Sequence, residues 1–131
     1  MFEKLRFSPQ WSDTMTEENT IEANFKVSIN SFFQTNTFGA ERLFSSAAEI
    51  LWDIRGPLID LYCGTGTIGI SFQKLWIGDS LYGIEIVEDA IIDARKNALR
   101  NGVSNLEFFA ADVGKFLIEY PHFAGKISCL V

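Results

Sequence analysis

The chain has 131 residues, of which 47% are hydrophobic and 21% charged, with a formal net charge of −6 and a pI near 4.7. That length and composition suit one globular domain with a real core, while the acidic balance excludes a piece that grips nucleic acid alone, because phosphate binding draws on clustered Lys and Arg. No apolar run approaches the roughly 18 residues of a membrane-spanning helix, and the charged N-terminus, Met1 to Arg6, is followed by no apolar stretch; a soluble, cytoplasmic protein is expected.

Residues 1–20 are polar, lack sustained periodicity and contain Ser8-Pro9, which predicts a linker or tail ahead of a domain over 21–131. From Ile21 to Asn30 the pattern alternates: Ile21, Ala23, Phe25, Val27 and Ile29 against Glu22, Asn24, Lys26, Ser28 and Asn30. A period of two predicts a half-buried strand. After Ser31-Phe32-Phe33-Gln34-Thr35-Asn36, apolar residues recur at helical spacing from Ala40 to Ile54, with Asn36 or Thr37 as N-cap and Gly56-Pro57 as the stop.

From Leu58 onward the pattern changes to four short apolar runs, Leu58 to Tyr62, Leu81 to Ile86, Leu106 to Ala111 and Ile127 to Val131, which predict strands buried on both faces. Three helical stripes separate them: Ile68, Phe72, Leu75 and Trp76; Val87, Ile91, Ala94 and Ala98; Val113, Phe116, Leu117 and Tyr120. Strands alternating with helices imply right-handed crossovers and a parallel sheet, an α/β architecture. Cys63 and Cys129 lie far apart in apolar segments and read as buried thiols rather than a disulfide, and the single histidine, His122, suggests no metal site.

The chemistry concentrates in Asp60-Leu61-Tyr62-Cys63-Gly64-Thr65-Gly66-Thr67-Ile68-Gly69, which joins the first apolar strand to a helix. An open α/β sheet places its ligand crevice at such a junction. Gly64-x-Gly66-x-x-Gly69, with Glu85 ending the next strand, also satisfies a dinucleotide fingerprint, so a nicotinamide-dependent oxidoreductase is an alternative. Asp60 argues against it: a carboxylate four residues before Gly64 sits poorly beside a pyrophosphate but well beside an ammonium and a sulfonium. S-adenosylmethionine carries both charges and no phosphate. Glu85, an acid in an apolar strand, should face a donor pair such as two ribose hydroxyls. Asp112 is placed to accept from an adenine amino group, or to cap the helix that begins at Val113.

Three segments in order, Ser31-Phe32-Phe33-Gln34-Thr35-Asn36, Asp60 to Gly69, and Gly83-Ile84-Glu85-Ile86-Val87, resemble consecutive motifs of the RNA uracil-5 methyltransferases. The likeness continues through Ala90 to Ala98 and Asn101-Gly102, covering most of residues 21–131. It implies a Rossmann-like class I methyltransferase fold with sheet order 3-2-1-4, preceded by a strand and helix covering the cofactor, and the methylation of uridine carbon 5 in transfer or ribosomal RNA. It also implies that Gln34, Tyr62 and Glu85 contact S-adenosylmethionine while Gly64 and Gly66 shape its amino-acid end. In that family a cysteine attacks carbon 6 of uracil and a carboxylate removes the carbon-5 proton. The Asp-Pro-Pro-Arg motif expected after Leu130-Val131, with the nucleophile and base beyond it, does not occur in these residues. The expectation is therefore the N-terminal part of the domain, inactive alone, with no catalytic residue, RNA-reading regions elsewhere and self-association through the exposed final strand. A non-catalytic binding module with the same fold is a further alternative. Cys63 and Cys129 are expected to be structural.

Overall fold

The computed structural model describes residues 2–7, 21–26, 36–75, 77–123 and 129–130. They form β1 (Phe2–Phe7), β2 (Ile21–Lys26), α1 (Thr37–Leu51), β3 (Pro57–Leu61), α2 (Thr67–Lys74), β4 (Ser80–Glu85), α3 (Glu88–Arg100), β5 (Leu106–Ala110), α4 (Val113–Glu119) and β6 (Cys129–Leu130), with a 3-10 turn at Pro121–Phe123. Two sheets result: an antiparallel ribbon of β1 and β2, and a four-stranded parallel sheet in the order β5-β4-β3-β6. Counted from β3, that order is the 3-2-1-4 that the resemblance implies.

Alternation along the parallel strands sends side chains to two different cores. Leu58, Leu81 and Phe108 join Ile70 and Phe72 of α2 and Ile91 and Ala94 of α3 on one face. The ribbon and α1 lie on the same side, through Leu5, Ala23, Phe25, Ala40, Phe44 and Ala48. Ile59 and Ile84 point the other way, onto Val113 and Phe116 of α4, where Phe116 and Tyr82 also meet the Phe123 ring.

The N-terminal residues correct the sequence reading. Phe2–Phe7, expected within a linker, is a strand paired in register with β2, Leu5 opposite Ala23. Leu5 is fully buried, and on the exposed side Lys4 Nζ and Arg6 Nε reach Glu22 carboxylate oxygens at 3.1 and 3.0 Å. A buried Leu5 flanked by Lys4 and Arg6 gives no local signature; the partner strand supplies the pairing.

Other elements differ at their edges. Asn36 caps α1 by accepting from the Gly39 amide at 2.9 Å, worth about 1 kcal/mol for such a cap, but the helix ends at Leu51, short of Ile54. Val87, expected in the apolar stripe of α3, is its exposed N-cap, and Leu117 and Tyr120 of the α4 stripe are also exposed. β5, expected to be buried on both faces, buries only Phe108 fully, because it is an outer strand of the parallel sheet. The expected strand residues 27–30, the segment 31–35 with Gln34, and Trp76 lie outside the described residues.

The ribbon is tied to α3 by side-chain amides acting as a surrogate strand. Asn101 Oδ1 accepts from the Asn24 backbone N–H at 2.8 Å and its Nδ2 donates to the Asn24 carbonyl at 2.7 Å. One turn earlier, Asn97 does the same to Lys26, at 2.7 and 3.0 Å. Residues four apart share a helix face, and residues two apart share a strand edge, so the two periodicities match.

Candidate functional site

The carboxyl ends of β3, β4 and β5 converge on the glycine turn. Beyond Leu61 the strand pairing is extended by one bond, Cys63 N–H to the Ile84 carbonyl at 3.0 Å, and the chain then reverses with the Gly66 amide on the Cys63 carbonyl at 2.9 Å. This path needs positive φ at Gly64 (54°) and Gly66 (79°). Gly66 is also closed to any side chain: a Cβ there would stand 2.9 Å from the Phe108 ring and 3.2 Å from both Ala94 and Ile70. Tyr62 adopts the same left-handed region (φ 64°) without being glycine, while the residue is 75% exposed. A bulky residue in that conformation costs on the order of 1 kcal/mol, and such outliers cluster at functional positions.

Asp60 sits beneath the turn, 2% exposed. The backbone amide of Gly69, in the first turn of α2, acts on this carboxylate and favours its charged form. Gly66, the N-cap of that helix, offers no side-chain cap, and Asp60 lies at the end of the helix where the dipole favours an anion. The Asp60 Oδ2 oxygen is buried with no hydrogen-bond partner among the described residues. Desolvation, opposed by the Gly69 amide and reinforced by the nearby Glu85 charge, pushes the carboxyl from 3.8 up to about 7.

Glu85 closes the other side of the turn. Its Oε2 accepts from the Gly64 amide at 3.2 Å and its Oε1 from the Val87 amide at 3.0 Å, so one side chain joins the glycine turn to the start of α3. Asp112 is the N-cap of α4, accepting from the Lys115 amide at 2.9 Å, the capping alternative that its position before Val113 offers. Cys63 is a buried free thiol, and desolvation together with the Asp60 and Glu85 charges raises its pKa far above the ordinary value. It is a poor nucleophile. The side chain of Cys129 lies outside the described residues, as does Gln34. Among the described residues no group of three or more His, Cys, Asp or Glu side chains is arranged to hold a metal.

Asn97 escapes motif reading. It is fully buried on α3, and its Nδ2 reaches the carbonyl of Thr65, at the tip of the turn, at 3.3 Å. The available signal was a polar amide within the apolar face between Ala94 and Ala98, where a helix gains nothing from Asn unless its amide is used.

A parallel sheet in this order, with a strand-ending acid and a glycine turn opening a helix beside a second strand-ending acid, defines the class I methyltransferase architecture. The chain belongs to the methyltransferase-domain family, which matches residues 55–123. An uncharacterized RNA methyltransferase of Caldanaerobacter subterraneus subsp. tengcongensis is 48% identical over 78% of this chain and 22% of its own length. A tRNA (uracil-5-)-methyltransferase homolog B of Danio rerio is 36% identical over 96% of this chain and 25% of its own. Among solved structures, the Pyrococcus abyssi tRNA (uracil-54, C5)-methyltransferase in complex with S-adenosyl-L-homocysteine superposes with a TM-score of 0.61 at 33% identity, covering 69% of this chain and 22% of that one. The chain thus spans about a fifth to a quarter of the length of these relatives. Among the described residues no helix is long and apolar enough to cross a membrane.

Proposed function

We propose that this chain supplies the S-adenosylmethionine-binding part of an RNA methyltransferase that modifies carbon 5 of uridine in transfer or ribosomal RNA. The observation that carries the cofactor is the pairing of two carboxylates around one glycine turn, one of them with a buried oxygen lacking a partner among the described residues. Such a crevice repels a pyrophosphate and attracts a cation, since like charges a few ångströms apart disfavour one another strongly in a low dielectric. The bound cofactor would supply an electrophilic methyl group.

In this reading Asp60 gives up the proton that it holds up to about pH 7 as the cationic cofactor binds, leaving a carboxylate beneath the cofactor's amino-acid end, and Gly64 and Gly66 give that end close approach to the backbone. Glu85 receives the ribose hydroxyls, already oriented by the Gly64 and Val87 amides. Tyr62 presents its exposed ring at the mouth of the crevice, Asp112 accepts from the adenine amino group, and Gln34 contacts the cofactor from the N-terminal side. The raised thiol of Cys63 does not serve as the nucleophile toward uracil. RNA is gripped by other regions, a reading that the net charge of −6 supports.

Isothermal calorimetry of the chain with S-adenosylhomocysteine tests this: saturable binding is expected, weakened by about tenfold or more in Glu85→Ala, the loss of one charge-assisted hydrogen-bonding group. A thermal shift with NAD that exceeds the shift with S-adenosylhomocysteine would overturn the cofactor and favour the oxidoreductase.

A further inference from the structure

Asn97 uses every hydrogen-bonding position of its amide. Nδ2 donates to the carbonyls of Lys26 and Thr65, and Oδ1 accepts from the Lys26 amide and from Arg100 Nη1 at 2.7 Å each. The orientation of the amide is fixed by this set, because two donors face Oδ1 and two carbonyls face Nδ2.

The Thr65 carbonyl belongs to the same rigid peptide plane as the Gly66 N–H. That N–H is held by the Cys63 carbonyl at 2.9 Å. The plane between Thr65 and Gly66 is therefore pinned at both ends, at one by the turn itself and at the other by α3. Pinning matters at this bond because glycine accepts both signs of φ, so the rotation that flips the plane meets little steric resistance from Gly66. A flip would break the Gly66–Cys63 bond, aim a carbonyl where an amide now points, and change the turn that the cofactor approaches.

We infer that Asn97 is a positioning residue that locks the Thr65–Gly66 peptide of the cofactor turn and ties it to the β1–β2 ribbon. The inference rests on the reading of that turn as the S-adenosylmethionine site for its effect on binding, but not for its effect on the turn. Asn101 is the internal comparison: it makes the same two-bond clamp on the ribbon, at Asn24, and no bond to the turn. A purely structural role predicts the same behaviour for both residues.

The test compares Asn97→Ala with Asn101→Ala in the full chain, by hydrogen exchange of the Gly66 amide resolved by NMR and by calorimetry with S-adenosylhomocysteine. Both variants are expected to melt at lower temperature. Only Asn97→Ala should accelerate Gly66 exchange relative to amides of β3 and β4, and weaken binding, each by about tenfold, the scale of one buried hydrogen bond. Should Asn97→Ala fail to fold, Asn97→Asp, which keeps the acceptor for Lys26 and Arg100 but loses both donors, gives the same reading. Equal exchange and equal affinity in the Asn97 and Asn101 variants would overturn the inference. Wild-type chain that binds no S-adenosylhomocysteine defeats the cofactor reading, while the Gly66 exchange rates still decide whether Asn97 locks the turn.

Discussion

The two ends of the parallel sheet solve the same problem, reversing a chain between strand and helix, with opposite consequences. At the amino end, Gly78 takes φ 71° and donates to the Ile54 carbonyl, Asp79 donates to Gly56, and Asn105 Nδ2 reaches the Asp79 carbonyl. These polar groups are answered within the protein. At the carboxyl end, Tyr62 is held in a conformation suited to glycine, and Asp60 keeps a buried oxygen with no partner among the described residues. The first end is arranged for stability, whereas the second retains a cost of folding that a ligand or a proton would relieve.

Substitutions at the two ends should separate stability from binding. The largest effect is expected at the amino end: a Cβ at Gly78 would stand 2.7 Å from Leu58 Cγ, a fully buried side chain, in a left-handed conformation. Gly78→Ala should lower unfolding free energy by about 3 kcal/mol in urea titration while the folded fraction binds S-adenosylhomocysteine unchanged. A loss of affinity there would merge the two ends functionally.

Asp60→Asn should act in the opposite sense. Because the folded chain holds a proton on Asp60 up to about pH 7 while the unfolded carboxyl releases it near 3.8, stability falls as pH rises through that window and levels off above it. The Asn variant lacks this fall, so it should exceed wild type by on the order of 2 kcal/mol at pH 8 and by much less at pH 4. Thermal melts across the range give the comparison, and parallel pH curves for the two proteins would remove Asp60 from the account. The smallest effect is expected for Tyr62→Gly, which should stabilise by about 1 kcal/mol by relieving the left-handed backbone, while weakening S-adenosylhomocysteine binding. A stability loss in differential scanning calorimetry would show that the ring holds the turn rather than straining it.

Much of the carboxyl end was legible because its signals are local. The apolar runs at Leu58, Leu81 and Leu106 and the spacing of Gly64 and Gly66 fix strands and turn without reference to distant partners, and the sheet order follows from the resemblance. The bonds made by Glu85 to the Gly64 and Val87 amides were not visible, since no pattern distinguishes an acid meant for hydroxyls from one that also braces a turn. β1 was missed because its charges find Glu22 only after pairing, across 16 or more residues. Asn97 and Asn101 act on β2 across 71 and 77 residues, and in sequence they look like an ordinary helix and its ending.

The amide clamp of Asn97 and Asn101 on β2 is made to main-chain atoms of Asn24 and Lys26. Recognition of that kind ignores side-chain identity and excludes only proline, which lacks the N–H. These four bonds therefore place no demand on the side chain at position 24 beyond a backbone N–H, and the clamp survives any substitution there that keeps the strand extended.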